Sequence, residues 1–225
     1  MISTIITMIT SIMICMSIDD MGAMPSTETE VKFYIPNLSA LRERLLAAGG
    51  LLHTPRTLEV NLRFEDAGNS LTPTGVVLRL RRDQSAWLTY KRPGPDSSAV
   101  KIRVEHEVEV SDFEAARAIL EGLGYHVSWI YEKYRETFGL GAAEVVLDQL
   151  PFGSFVEVEG PDEASLRKTA GAIQLDWDSR YLGTYTTLFA AVRQSLGLSF
   201  DDLTFANFAG LRVTPANLGL EPRMG

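Results

Sequence analysis

At 225 residues, with 45% apolar and 22% charged side chains, the chain has the make-up of a globular protein able to bury a core. A formal net charge of -8 disfavours non-specific binding to DNA or to an acidic membrane, although it leaves room for local clusters of cations. The single cysteine, Cys15, excludes an intramolecular disulfide framework and a multi-cysteine metal site, and fits a reducing, cytoplasmic setting.

Residues 1–18 carry no charge and are rich in Ile, Met and Thr. The stretch is marginal for a membrane span, is diluted by Ser and Thr, and lacks the basic flank of a signal peptide. A tether and a start site assigned too early remain open. The preferred reading is an N-terminal extension over 1–26 outside the fold, with no stable membrane insertion. The folded domain is expected over 27–205, followed by a loosely ordered tail over 206–225.

From Glu28 to Tyr34 the chain alternates as a strand that Pro36 stops. Asn37 or Ser39 caps a helix over 38–48, which Gly49 and Gly50 end. A strand over 58–64 and a turn at Ala67-Gly68-Asn69 lead to a hairpin, 76–82 with 86–92. A Pro-Gly-Pro loop precedes a strand over 100–110, and a helix over 112–123 ends at Gly124. Strands over 129–138, 144–147 and 155–159 follow, then helices near 161–173 and 185–196. Glu28-x-Glu30, strand, helix, Gly stop and strand recur as Glu105-x-Glu107, strand, helix, Gly124 and strand. Two such halves fit one α+β fold: a closed eight-stranded antiparallel β-barrel, or tunnel, with α-helices packed outside.

Side chains two apart in a strand share a face. Glu28, Glu30 and Lys32 therefore point together, as do Arg79 with Arg81, Thr89 with Lys91, Arg103 with Glu105, Glu107 and Glu109, Lys133 with Arg135, and Glu157 with Glu159. Asn61 and Arg63 lie on a strand long enough to join them. Taken one strand at a time, a solvated outer face is the ordinary explanation. For the whole chain the apolar opposite faces, with amphipathic helices to cover them, turn the charges inward. Like charges are also grouped, which a surface built only for solubility avoids. Such an interior is costly if dry. It suits a wet cavity whose Arg and Lys meet phosphate oxygens and whose clustered Glu supplies hard ligands for Mg²⁺ or Mn²⁺.

Glu28-x-Glu30-x-Lys32 resembles the E-x-E-x-K signature of the CYTH superfamily, the triphosphate tunnel metalloenzymes. Leu78-Arg79-Leu80-Arg81, Tyr90-Lys91-Arg92, Arg103-Val-Glu105-His-Glu107, Lys133-Tyr-Arg135, and Asp148 with Phe155-Val-Glu157-Val-Glu159-Gly160 resemble its later elements, in family order. The resemblance implies an eight-stranded tunnel enzyme, a metal-dependent hydrolase of a small inorganic or organic triphosphate. A class IV adenylyl cyclase is the alternative, and a non-catalytic polyphosphate- or nucleotide-binding module a further one. By resemblance, Glu28, Glu30, Asp148, Glu157 and Glu159 are metal ligands or close to the metal, and Lys32, Arg79, Arg81, Lys91 and Arg135 hold the triphosphate. Lys133 orients or deprotonates the attacking water, and Glu105 and Glu107 serve a second metal or its water. The expected partners are the substrate and not nucleic acid, with a homodimer left open. Trp87, Trp129 and Trp177 are assigned to core or helix contacts.

Overall fold

The computed structural model describes residues 26–220; the extension expected over 1–26 falls outside it apart from Ser26, which opens the first strand. Twelve elements follow: β1 (Ser26–Tyr34), α1 (Leu38–Ala47), β2 (Leu51–Glu65), β3 (Val77–Arg82), β4 (Ala86–Pro93), β5 (Lys101–Val110), α2 (Phe113–Gly122), β6 (His126–Leu140), β7 (Ala143–Leu150), β8 (Gly153–Gly160), α3 (Glu163–Ala172) and α4 (Tyr185–Leu196). The strands close in the order β1-β5-β4-β3-β2-β6-β7-β8, every neighbouring pair antiparallel. No sheet edge is left to recruit another strand.

The internal repeat in the sequence is a repeat of structure. Exchanging β1 with β5, β2 with β6, β3 with β7 and β4 with β8 reproduces the same ring. β1-α1-β2 and β5-α2-β6 are thus equivalent units, and their matching strands pair directly.

Local chemistry sets the helix limits. Asn37, Asp112 and Asp162 accept from the backbone N–H groups of Ala40, Ala115 and Ser165 at 3.0, 2.9 and 2.8 Å, capping α1, α2 and α3. Gly49 and Gly124 then take φ values of +88° and +94°, which reverse the chain after α1 and α2. Strand β2 begins at Leu51 rather than at Leu58. Its first half carries register shifts between Leu52 and Thr54 and between Thr54 and Thr57, around Pro55, which has no N–H to give to a ladder.

Apolar outer faces are covered by helices. Leu41 and Leu45 of α1 and Leu166 and Ala170 of α3 pack on Val31, Phe33, Val145, Val156 and Val158. Phe113 and Leu120 of α2 cover Leu62, Phe64 and Leu80. A third cluster joins Leu188, Phe189 and Val192 of α4 to Tyr131, Phe152 and Phe155. Because Tyr131 and Phe155 share the inward parity of their strands, α4 stoppers one end of the barrel. Of the tail expected to be loosely ordered, residues 206–220 are described and belong to this stopper, with Phe208 and Leu218 buried in the same cluster; 221–225 lie outside the described residues. Among the described residues no helix is long and apolar enough to cross a membrane.

Candidate active site in the tunnel

The inward faces of all eight strands surround a cavity of about 1080 Å³. Nine acidic and nine basic side chains line it, so the cavity wall is balanced although the whole chain stands at -8. Its groups nevertheless fall into distinct sets.

One set is acidic. Carboxylate oxygens of Glu28, Glu30 and Glu159 all lie within 4.8 Å of one another. The β1–β8 register puts Glu30 directly opposite Glu159, and the β7–β8 register puts Glu144 on the other side of Glu159. Like charges in this position repel. Glu28 and Glu30 each have a cation, Lys91 at 2.7 Å and Lys101 at 2.6 Å. Glu159 forms no ion pair among the described residues. Burial, with Glu28 and Glu157 close by, pushes its carboxyl up to about 8. Three hard oxygen donors with one uncompensated carboxylate are a fit for Mg²⁺ or Mn²⁺.

A second set is a network of buried ion pairs. Asp148, fully buried, accepts from Lys133 Nζ at 3.0 Å, from Arg135 Nε at 2.7 Å and Nη2 at 2.6 Å, and from the Tyr185 hydroxyl at 2.9 Å. Glu157 accepts from Lys32 and, at 2.6 Å, from Arg135. Despite burial, Lys32, Arg135 and Lys133 hold Glu157 well below the usual carboxylate range, and Lys32 is correspondingly raised. Two of the five residues expected at or close to the metal, Asp148 and Glu157, therefore spend their oxygens on cations here, while the other three, Glu28, Glu30 and Glu159, form the metal-sized group. Glu59 of β2, unassigned from sequence, joins this network at 3.5 Å from Lys133, 3.7 Å from Arg81 and 3.9 Å from Arg135. Although buried, it is held down at about 2 by Lys133, Arg135 and Arg81.

The third set belongs to β3, β4 and β5. Lys91 bridges Glu28 and Glu105, each at 2.7 Å. Glu107 accepts from Thr89 Oγ1 at 2.5 Å and pairs with Arg79 at 3.3 Å and Arg81 at 3.5 Å. Burial and the approach of Glu28 raise Glu105, whereas Thr89, Arg81 and Arg79 outweigh burial and lower Glu107.

All the sequence-predicted site residues except Asp148 thus line the one cavity, and Asp148 is bonded to Lys133 and Arg135, which do. Arg63 lines it too, while Asn61 is fully buried on the inward face of the same strand. Lys101, Glu59, Tyr131 and Tyr185 were missed. Lys101 shares the parity of Arg103 and Glu105, and Glu59 that of Asn61 and Arg63, so both were legible; Tyr185 sits at the start of a helix and gave no signal. Trp87 and Trp129 both face the cavity, because their strand parity is that of Thr89 and Lys133, and Trp129 is at the same time a helix contact, through Phe189 of α4. Trp177 is a helix contact as expected.

Fold and cavity define a closed antiparallel tunnel with an ionic interior. A family model, the CYTH domain, matches residues 26–187, which take in all eight strands. The chain belongs to the CYTH family. Among solved structures, a Vibrio parahaemolyticus protein named as a candidate adenylate cyclase superposes with a TM-score of 0.65 at 22% identity, over 73% of this chain and 98% of that one. For a Pyrococcus horikoshii OT3 protein the TM-score is 0.61 at 21% identity, over 70% of this chain and 96% of the other. A Hippeastrum protein, described as a candidate adenylyl cyclase with a dominant triphosphatase activity, gives 0.54 at 18%, over 86% and 100%. At these identities the likeness shows the fold. No curated protein matches the chain.

Proposed function

We propose that this protein hydrolyses a small triphosphate, inorganic or organic, with the help of a divalent ion held by Glu28, Glu30 and Glu159. The observation that carries the reading is the uncompensated Glu159 beside Glu28 and Glu30, in the same cavity as Lys32, Arg79, Arg81, Lys91 and Arg135. A balanced wall has little surplus charge to offer a polyanion, so a bare triphosphate would bind largely by trading one set of ion pairs for another, and more weakly than its metal complex. An ion bound to the acidic group would neutralise it and polarise a phosphoryl oxygen.

In this reading the cations of β1, β3, β4 and β6 bind and orient the phosphate chain, Arg by its planar fork and Lys as a compact charge. Lys133 has three N–H bonds. Asp148 accepts one at 3.0 Å, Glu59 stands 3.5 Å away as an ion-pair partner, and the remaining N–H bonds are free to hold a water for attack. In that place Lys133 orients the water.

The test is incubation of the purified protein with inorganic triphosphate, thiamine triphosphate and ATP, each with Mg²⁺ or Mn²⁺, with phosphate, pyrophosphate and cyclic AMP resolved. Metal-dependent phosphate release is the expected outcome. Cyclic AMP with pyrophosphate would make the protein a cyclase, and no product from any of the three would overturn the hydrolase.

A further inference from the structure

Among the described residues, seven of the nine basic side chains lining the tunnel sit in ion pairs, and Arg63 and Arg103 sit in none. Among the described residues Arg103 donates only to the backbone oxygen of Gly75, at 2.7 Å, and the Arg63 guanidinium has no hydrogen-bond partner. The two lie with Arg79, which is directly opposite Arg63 across β2 and β3. On its other side Arg63 is opposite Trp129 of β6. Trp129 is fixed by stacking on Tyr131 at 4.6 Å and on Phe189 of α4 at 6.1 Å. The Nε atoms of Arg63, Arg79 and Arg103 and the indole Nε1 of Trp129 are all buried without an acceptor.

A cluster of this kind needs an occupant, since buried donors left unpaired are costly and three guanidiniums repel one another. Burial together with the Arg79 and Arg103 charges lowers Arg63, and Tyr131 offsets this only in part. The nearest acid on the same strand, Glu65, is already spent on the backbone N–H groups of Leu71 and Thr72, at 3.0 and 2.8 Å. The orphaned atoms of these four side chains are all donors, and the next inward residue of the strand, Asn61, leaves both its amide nitrogen and its amide oxygen unpartnered. A nucleobase edge or a thiazole presents donors or apolar surface as well as acceptors, whereas a phosphoryl group presents acceptors alone. The volume agrees, for about 1080 Å³ reaches the upper end of ordinary ligand pockets, roughly 300–1,000 Å³, and exceeds what three phosphoryl groups fill.

We infer that Arg63, Arg79, Arg103 and Trp129 form a further oxyanion subsite at the end of the tunnel closed by α4, so that linear phosphate chains of four or more phosphoryl groups bind in preference to triphosphate. The inference rests on reading the tunnel as a phosphate site but not on its hydrolytic activity. Arg79 links the new subsite to Lys91 and Glu107, where the triphosphate cations begin.

The experiment is calorimetric titration of the full chain with inorganic triphosphate and inorganic tetraphosphate in chelator, which needs no turnover. The wild type should bind tetraphosphate more tightly by about tenfold or more, the ratio expected from one additional charge-assisted contact. In Arg63→Gln the ratio should fall to about twofold or less, and Arg63→Lys, which keeps the charge but not the fork, should lie between. A wild-type ratio near one, or no tetraphosphate binding, overturns the subsite. So does a ratio unchanged in Arg63→Gln, including the case where both affinities fall together. Tetraphosphate preference in a protein that hydrolyses nothing would leave the subsite standing and remove the hydrolase.

Discussion

Lys133 is held at 3.0 Å from Asp148 and 3.5 Å from Glu59, and it is almost fully buried. Its substitution tests the division of labour in the tunnel. Because Arg135 and Tyr185 remain on Asp148, Lys133→Ala leaves that carboxylate partnered, and the phosphate cations stay in place. The expected result is a fall in kcat of about a hundredfold or more with a much smaller change in triphosphate affinity, as loss of a water-positioning group predicts. Steady-state kinetics beside direct binding would decide it, since equal losses in both count against the role. Glu159 permits a sharper test. With the carboxyl pushed up to about 8, the ionised form is the unfavourable one in the metal-free protein. Glu159→Gln should therefore abolish metal-dependent turnover yet raise Tm in chelator above pH 8. A mutant that melts lower than wild type under those conditions would show that the carboxylate is not repelled by Glu28 and Glu30.

At the scale of elements, α4 and the segment after it close the tunnel from outside the strand framework. Phe208 is buried against Phe152, Phe189 and Phe200, with ring centroids 6.4, 6.0 and 5.4 Å away. Phe208→Ala should cost about 3–5 kcal/mol, read as a drop in the denaturant midpoint; a loss below about 1 kcal/mol would mean that the tail is not part of the core. None of this was legible beforehand, because the segment has no periodicity and its contacts are all tertiary. The strands were legible for the opposite reason. Alternation along β1, β3, β5 and β8 separates Val31, Leu80 and Val158 from Lys32, Arg79 and Glu159 with no ambiguity about face, and one face must be buried. Where Pro55 and the bulges break that alternation, the first half of β2 went unread. Which carboxylates meet cations is likewise hidden, since Asp148 meets Arg135, and Glu30 meets Glu159, only through register. Motif order picked out acids and bases that the fold gathers in one tunnel but could not sort Glu28, Glu30 and Glu159 from Glu157.

For the molecule as a whole, closure makes the tunnel a single ionic unit, and pH acts on it from both sides. Glu59, Glu157 and Glu107 are depressed in the fold, so the native state binds fewer protons than the unfolded chain at those sites. Their stabilisation is present above the ordinary carboxylate range, about 4.3, and is lost as pH falls through the folded values. Glu159 has the reverse sign. Raised to about 8, it retains a proton in the native state that the unfolded chain has already released, so stability declines as pH rises from the carboxylate range towards 8. The metal-free protein should thus melt highest in mildly acidic buffer. A divalent ion on Glu28, Glu30 and Glu159 must displace that proton, so it binds more weakly at low pH and removes the alkaline penalty at high pH. At a hundred times its dissociation constant it adds about 2.7 kcal/mol, or a rise in Tm of roughly 5–11 °C for a chain of this size. Thermal melts with chelator or with Mg²⁺ at fixed concentration, at about pH 6 and about pH 8.5, measure both terms. The metal-induced rise should be clearly larger at the higher pH. An equal rise at the two values would mean that the ion binds without titrating Glu159, and the metal group would then have to be sought among other carboxylates of the tunnel.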